Sequence, residues 1–307
     1  MRPKVSLWYL LIVLSMGFLF LFVTEITLVL GMLILPFSLY YLVRLKHKSS
    51  YHFWLTFVSF IIPVFLIMSP LSWISLILLY ALAYLVERSL KLNYTQEYTM
   101  FYFAATMTII VIGGLNILQL FNVISPFGEI WASLVSWYFE QVDESGMSAF
   151  IDMTLVSANL ELFYLNIQGQ LTIFSIATAI FVILLLRWLL RHEEGIKLWP
   201  AKSFKDWVFP RFVMYLFFIF FILSFFMSPT DNAVFYAVVS NVLLVLEWII
   251  YIHGLAFVYF YAREKNINVA LSILILIPFL VLRPITMLIG LFEMAFRIRQ
   301  WIIMKRK

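Results

Sequence analysis

The chain has 307 residues, of which 64% are hydrophobic and 12% are charged. A soluble globular domain is about half apolar and a quarter charged, so this chain has too little polar surface to cover itself in water. The net charge of +5 does not indicate nucleic acid as a partner, because the basic residues stand in short clusters between apolar runs. The composition therefore excludes a soluble domain and predicts the lipid bilayer as a partner.

Patterns typical of enzymes and metal sites are missing from the sequence. The chain has no cysteine, which excludes disulfides, thiolate metal sites and cysteine nucleophiles. The metalloprotease, hydrolase and nucleotide-binding patterns HExxH, GxSxG and GxxxxGK[ST] do not occur, and the four histidines have no metal-ligand spacing. We therefore expect no catalytic residue, no metal site, no cofactor and no enzymatic activity.

Apolar runs of about 18 or more residues recur from end to end, which is typical of an all-α, polytopic helical integral membrane protein. We expect residues 1–307 to form a single membrane domain with about eight to ten transmembrane segments. Residues 1–91 are interpreted as pairs of spans, with an uncleaved first span and breaks near Thr24-Glu25 and Ser69-Pro70, where proline disfavours helix. A fifth span is predicted around Met100 to Phe121.

The next stretch is acidic and is predicted to lie outside the cytoplasm. No lysine or arginine occurs from Leu92 to Leu186, whereas acidic residues recur there. Residues 122–170 show two helical patterns with a turn at residues 144–146, which predicts an amphipathic helical hairpin at the outer membrane interface. The first helix has a polar face of Glu129, Ser133, Ser136 and Glu140, and an apolar face of Phe127, Trp131, Leu134 and Tyr138.

Residues 171–307 are predicted to form the C-terminal spans. A sixth span, about Leu171 to Leu186, leads to the most basic loop, and two further spans follow at about residues 212–227 and 233–261. The last apolar run is interpreted as two short or partly re-entrant segments that turn near Arg283-Pro284. Because basic clusters flank the run on both sides, the protein is expected to be a multi-pass cell membrane protein with both termini in the cytoplasm.

Ionisable residues within apolar runs are costly and commonly face the protein interior or water. Lys265 lies midway along the sequence between Glu247 and Arg283. Two antiparallel helices joined near Lys265 would place both charges at one depth, about 27 Å from the turn. The sequence therefore predicts an ion pair between Glu247 and Arg283, which either lines a ligand site or has a structural role.

Four other residues in the C-terminal spans are candidates for binding or structural roles. Asn241 and His253 are candidates for the same ligand-binding or structural site. His253 is interpreted as a hydrogen-bonded interior residue, with a proton relay as the alternative. Glu293 and Arg297 are four residues apart, the spacing of a local ion pair on a helix, so we predict a structural pair between them.

Several stretches in the C-terminal two thirds carry a family resemblance. They are FKDWVFPRF with Trp207 and Pro210, then Asn241, His253-Gly254-Leu255, and the closing IGLFEMAFRIRQW. Together they resemble the YybS family of bacterial integral membrane proteins, which carry a domain of unknown function. The resemblance covers about Met100 to Trp301. The family pattern usually has Gly-x-x-Asp before the final arginine, whereas this chain has Gly290 followed by Glu293, which keeps the charge on a longer side chain.

By fold, that family is distantly similar to the substrate-capture subunits of energy-coupling-factor transporters. This similarity implies the binding of a small molecule from outside. Those subunits often dock on their energising partner through alanine-x-x-x-alanine in the first span. No alanine precedes Ala81 in this chain, so docking by that route is not expected.

Two classes of function remain open. In the first, the protein captures or transports a small molecule at a site under the outer hairpin, with Glu247 and Arg283 lining it. In the second, it is a non-transporting scaffold or regulator that binds other membrane proteins. An intramembrane enzyme ranks third, because no arrangement of nucleophile and base is visible. A polar cavity open to the outside favours the first class, and a solidly packed core with an exposed apolar groove favours the second.

Overall fold

The computed structural model describes residues 5–67, 69–146, 152–228 and 232–304. Within these ranges the chain forms α-helices and one 3-10 turn at Phe204–Asp206, and no strand occurs. The all-α class predicted for a polytopic membrane protein is therefore confirmed. The helices are α1 (Leu7–Ile26), α2 (Leu28–Lys48), α3 (Ser50–Ile67), α4 (Leu71–Lys91), α5 (Gln96–Leu120), α6 (Phe127–Glu144), α7 (Met153–Leu165), α8 (Ile167–Leu190), α9 (Phe212–Ser224), α10 (Ala233–Glu264), α11 (Val269–Val281), α12 (Arg283–Phe296) and α13 (Ile298–Met304).

Several of these helices are long and apolar enough to cross a membrane. Five described helices meet this test, namely α1, α4, α5, α8 and α10, and the bent pair α11 and α12 makes a sixth if it is one span. The helices α3 and α9 are apolar but shorter. Counting the bent pair as one span, α3 and α9 bring the number to eight if both cross, and α2 would make nine. The expected count of eight to ten segments stays a prediction.

The chain divides into two compact units. The first comprises Met1–Met147 and Phe174–Ala201, and the second comprises Ser148–Ile173 and Lys202–Lys307. The boundary at residues 173 and 174 falls within α8, and the two helices of the expected hairpin belong to different units. The single membrane domain expected for residues 1–307 stays a prediction.

Both breaks expected in the N-terminal third are present in the first unit. Helix α1 ends at Ile26, shortly after Thr24-Glu25, and α3 and α4 are separated around Ser69-Pro70. Glu25 explains why the second break is well defined. Its carboxylate accepts hydrogen bonds from the Ser69 N–H, at 2.7 Å, and from the Ser72 hydroxyl. Glu25 therefore links the end of α1 to the start of α4, through Ser69 just before that helix and Ser72 in its first turn.

The acidic segment contains the two predicted helices, α6 and α7. The side chains of Leu134 and Tyr138, assigned to the apolar face of α6, are 52% and 39% exposed, so the protein itself leaves that face open. The stripe of α6 that the protein covers runs through Trp131, Val135, Phe139 and Val142. The contact of the apolar face with the membrane interface stays a prediction. Residues 147–151 of the connection, and the side chain of Phe127, lie outside the described part of the chain. The pairing of α6 with α7 as a hairpin stays a prediction.

The second unit is built around α10, which packs against α9, α11 and α12. Its apolar core contains side chains from three helices, namely Met214, Phe217, Leu246, Ile250 and Met294. Helices α10 and α12 approach closely because each has a glycine at the crossing. A Cβ on Gly254 would overlap the carbonyl oxygen of Thr286, and a Cβ on Gly290 would overlap that of Ile250.

Gly290→Ala is expected to lower the free energy of unfolding by about 2–3 kcal/mol, because backbone atoms obstruct the new methyl group and overpacking cannot be relieved by a rotamer change. Gly113→Ala in α5 is a matched control, since no atom lies within 4 Å of its added Cβ. Alanine is favoured over glycine in a helix by about 0.5–1 kcal/mol, so the control should be neutral or stabilising. Thermal melts in detergent compare them, and equal melting temperatures would refute the close crossing.

Candidate functional site

The second unit contains a helix that breaks within an apolar run. Helix α11 ends at Val281, α12 begins at Arg283, and their axes are bent by 108°. A break leaves backbone carbonyls without helical partners, and in a membrane these must be satisfied by the protein. The Tyr251 hydroxyl donates to the Leu280 carbonyl at 3.0 Å, and the Thr286 hydroxyl donates to the Phe279 carbonyl at 2.6 Å. Side chains of the protein therefore stabilise the break between α11 and α12.

The predicted pair of Glu247 and Arg283 forms beside this break. Arg283 Nη2 donates to Glu247 Oε2 at 2.8 Å. The guanidinium carbon also lies 4.8 Å from the centre of the Trp248 ring, the geometry of a cation–π contact. Arg283, the first residue of α12, therefore meets Glu247 of α10, as the count from Lys265 predicted.

Not every N–H donor of the Arg283 guanidinium has a hydrogen-bond partner among the described residues. The side chains of Arg283 and Glu247 are 33% and 30% exposed, so the pair is only partly enclosed. Arg283 Nε is buried and has no hydrogen-bond partner among the described residues. A guanidinium has five N–H donors in a fixed planar fork, and carboxylates fit that fork well. The geometry leaves Arg283 with a donor available for another acceptor.

Asn241 lies six residues before Glu247, about 9 Å along α10. Its amide nitrogen donates to the Leu165 carbonyl at 2.7 Å and to the Ala237 carbonyl at 2.6 Å, and its amide oxygen accepts from the Gly169 N–H. Both N–H donors are therefore occupied by backbone groups. Asn241 ties the junction of α7 and α8 to α10, so its role in the structure is to position these helices.

A second polar cluster lies farther along α10 and centres on His253, Glu293 and Arg299. These residues are 0%, 4% and 5% exposed. His253 Nε2 hydrogen-bonds to Glu293 Oε2, and Arg299 Nε lies 3.4 Å from Glu293 Oε1. The Phe209 N–H points at His253 Nδ1 over 3.4 Å. With Nδ1 facing this N–H, Nε2 is the ring nitrogen that donates to the Glu293 carboxylate.

The FKDWVFPRF segment is fastened to this cluster by main-chain groups. Arg299 Nη1 donates to the carbonyls of Lys205 and Trp207, at 2.7 and 3.0 Å. Arg211 donates in return to the carbonyls of Met294 and Ala295 at the end of α12, at 3.1 and 2.8 Å. Three of the four stretches that carry the family resemblance, all except Asn241, therefore meet at this cluster, which we call the latch.

The predicted pair of Glu293 with Arg297 is wrong. The four-residue rule needs a continuous helix, but α12 ends at Phe296 and Arg297 has a left-handed backbone, with φ of 51°. This turn exposes the Arg297 side chain and brings Arg299 to Glu293 instead. Arg299 and Arg211 were missed by sequence reasoning. The available signal for these two arginines was the number of basic residues on either side of the motifs that carry the family resemblance.

No group of three or more histidine, aspartate or glutamate side chains that would hold a metal occurs among the described residues. The two clusters differ in what they can do chemically. The latch around Glu293 is enclosed, and each of its three side chains contacts another member. Arg299 and Arg283 both have buried N–H donors without a hydrogen-bond partner among the described residues, so exposure is what separates the clusters. The side chains of Arg283 and Glu247 are partly uncovered, so Arg283 is the residue better placed to bind a ligand.

A family model described as "Predicted membrane protein (DUF2232)" matches residues 8–294. No curated protein and no solved structure matches the chain. The matched range includes both polar clusters of the second unit except Arg299.

Proposed function

The chain belongs to the DUF2232 family of predicted membrane proteins, and we propose that it captures a small molecule with an acidic group from outside the cell as part of a transport process. The observation that carries this proposal is Arg283, which stands at the break between α11 and α12 with a buried Nε that has no partner among the described residues. An acidic ligand would bind at the guanidinium, beside or in place of Glu247.

The physical basis is the combination of a helix start and a cation at one point. Discontinuous membrane helices in transporters direct their N-termini at the anionic groups of substrates. The N-terminus of α12 carries partial positive charge from its free N–H groups, and Arg283 is its first residue. Glu247 balances this charge at 2.8 Å. A ligand carboxylate would compete with Glu247 for the same donors.

The resemblance to the YybS family, and through it to the capture subunits of energy-coupling-factor transporters, supports the same function. A capture subunit binds its molecule on the outer side and needs an energising membrane-protein partner. The first helix here lacks the alanine pattern used for docking in those subunits, so we expect such a partner to dock on a different surface.

Native mass spectrometry of the purified protein tests the proposal. We expect one small acidic molecule per chain in the wild type, and at least tenfold lower occupancy in Arg283→Leu. Arg191→Leu is the matched control and should retain the ligand, because Arg191 also lies over a tryptophan ring, that of Trp188, but is exposed in the basic loop. Equal occupancy in both variants would contradict the assignment of Arg283.

The alternative function is a scaffold or regulator of other membrane proteins. The same experiment separates the two, since a scaffold would carry no small molecule and would retain a stoichiometric membrane-protein subunit. The partly uncovered pair and the spare donor at Arg283 favour capture over this alternative.

Capture from outside also depends on the orientation in the cell membrane, which we propose from the charge pattern, with both termini in the cytoplasm. Met147 and the tail at Lys305, Arg306 and Lys307 lie outside the described residues. Ser145 is exposed in the acidic segment, and Lys202 is exposed in the basic one. Because the chain has no cysteine, Ser145→Cys should react with an impermeant thiol reagent on intact cells, whereas Lys202→Cys should not. The reverse labelling would overturn the orientation.

A further inference from the structure

The first unit contains a groove that the capture site does not use. It has a volume of about 720 Å³ and opens among α3, α4, α5 and the turn that joins α4 to α5. Its walls are largely aromatic, and the rings that line it are Trp54, Phe57, Tyr80, Tyr84, Tyr94 and Tyr102. Arg88 stands at one end, and no aspartate or glutamate lines the groove.

We propose that this groove binds an anionic phospholipid, with an acyl chain between the rings and the phosphate at Arg88. The Arg88 side chain is exposed and forms no ion pair or hydrogen bond with any residue that the structure describes. Its neighbour Glu87 does not neutralise it, because the buried Glu87 carboxylate is paired with Lys91. Arg88 is therefore a cation at an apolar groove that lacks a counter-charge.

A second cation lies behind the aromatic wall. Lys46 is 8% exposed, and its Nζ lies 4.9 Å from the Tyr84 ring centre and 5.3 Å from that of Trp54. Lys46 donates a hydrogen bond to the neutral Ser50 hydroxyl at 2.9 Å. One positive charge thus stands at the end of the groove, and a second lies behind its aromatic wall. The net field there favours an anionic headgroup over a zwitterionic one.

The apolar walls select a lipid rather than a soluble anion. A free phosphate would contact Arg88 alone and leave the space between the rings unfilled, whereas an acyl chain would fill that space and gain dispersion contacts with the rings. Arg88 and Lys91 stand in the last turn of α4, the end that the charge pattern predicts to be cytoplasmic. Headgroups of anionic lipids are found at that level of the membrane. Tyr84, Tyr94 and Tyr102 place hydroxyl-bearing rings at the same end, as is usual for interfacial residues.

Native mass spectrometry with added lipid tests the proposal. The full-length protein in detergent is titrated with dioleoyl phosphatidylglycerol or dioleoyl phosphatidylcholine. The first bound lipid should prefer phosphatidylglycerol by about fivefold, the effect of one basic residue near a headgroup. Arg88→Ala should remove this preference, and Arg191→Ala, another exposed arginine in the basic loop, should keep it. An unchanged preference in Arg88→Ala would overturn the headgroup assignment.

The second part of the test uses variants in which a larger side chain fills the groove. Ala81→Trp introduces a ring into the groove and should lower binding of the first lipid of either kind by tenfold or more. If that variant does not fold, Thr106→Phe fills the groove from α5, and circular dichroism melts verify folding of whichever variant is used. Inorganic phosphate should not displace the lipid. Displacement by phosphate, or unchanged lipid binding in a folded filled variant, would refute the proposal.

Discussion

Glu293→Leu is expected to lower the free energy of unfolding by about 3–5 kcal/mol, the range for removing one partner of a buried ion pair. The variant leaves Arg299 only 5% exposed, with its carboxylate partner gone. It also removes the acceptor of the His253 ring N–H. Because both groups are enclosed by protein, neither reaches water to recover the loss. Thermal and denaturant melts of the purified protein in detergent measure the change.

Arg297→Gln is the matched control for that experiment. Arg297 is exposed and forms the left-handed end of α12, and substitutions at such surface positions change stability by about 0.5 kcal/mol or less. The sequence-based pair of Glu293 with Arg297 makes the opposite prediction. If Arg297→Gln were as damaging as Glu293→Leu, and Arg299→Leu harmless, the cluster described here would be wrong.

The second large effect is expected at Glu247 and Arg283. Glu247→Leu and Arg283→Leu should each lower the free energy of unfolding by about 2–3 kcal/mol, less than at Glu293 because the pair is partly uncovered. The double variant should recover at least about 1 kcal/mol of the summed loss, since it leaves neither charge without its partner. Melting of the four proteins in one detergent gives the coupling. Simple additivity would mean that the two residues do not meet in the folded protein.

The Glu247–Arg283 pair was accessible from sequence for a definite reason. In two antiparallel helices joined by a short turn, each residue lies at a distance from the turn that is set by its number of positions from it. Two residues the same number of positions from the turn, one on each helix, therefore lie at the same depth. The failure at Glu293 shows the limit of the same arithmetic. A four-residue spacing predicts contact only while the helix continues, and nothing in the letters FRIRQ announces a left-handed residue at Arg297.

The ends of the first helices could be predicted from proline and charged residues, because these act on the nearby backbone. Other features depend on distant segments and were not predictable in that way. Glu25 binds Ser69 and Ser72, which lie in a distant part of the sequence. The crossing of α10 and α12 uses one glycine from each helix, Gly254 and Gly290, so no GxxxG pattern marks it.

The capture of an acidic molecule at Arg283 is tested most directly by cryo-electron microscopy of the wild-type protein in lipid nanodiscs. Non-protein density is expected at the break between α11 and α12, within about 3 Å of Arg283 Nε, the distance of a hydrogen bond. Trp248 should cover the other face of the guanidinium. A map in which protein side chains enclose Arg283, with Glu247 as its sole partner and no density beside Nε, would contradict it.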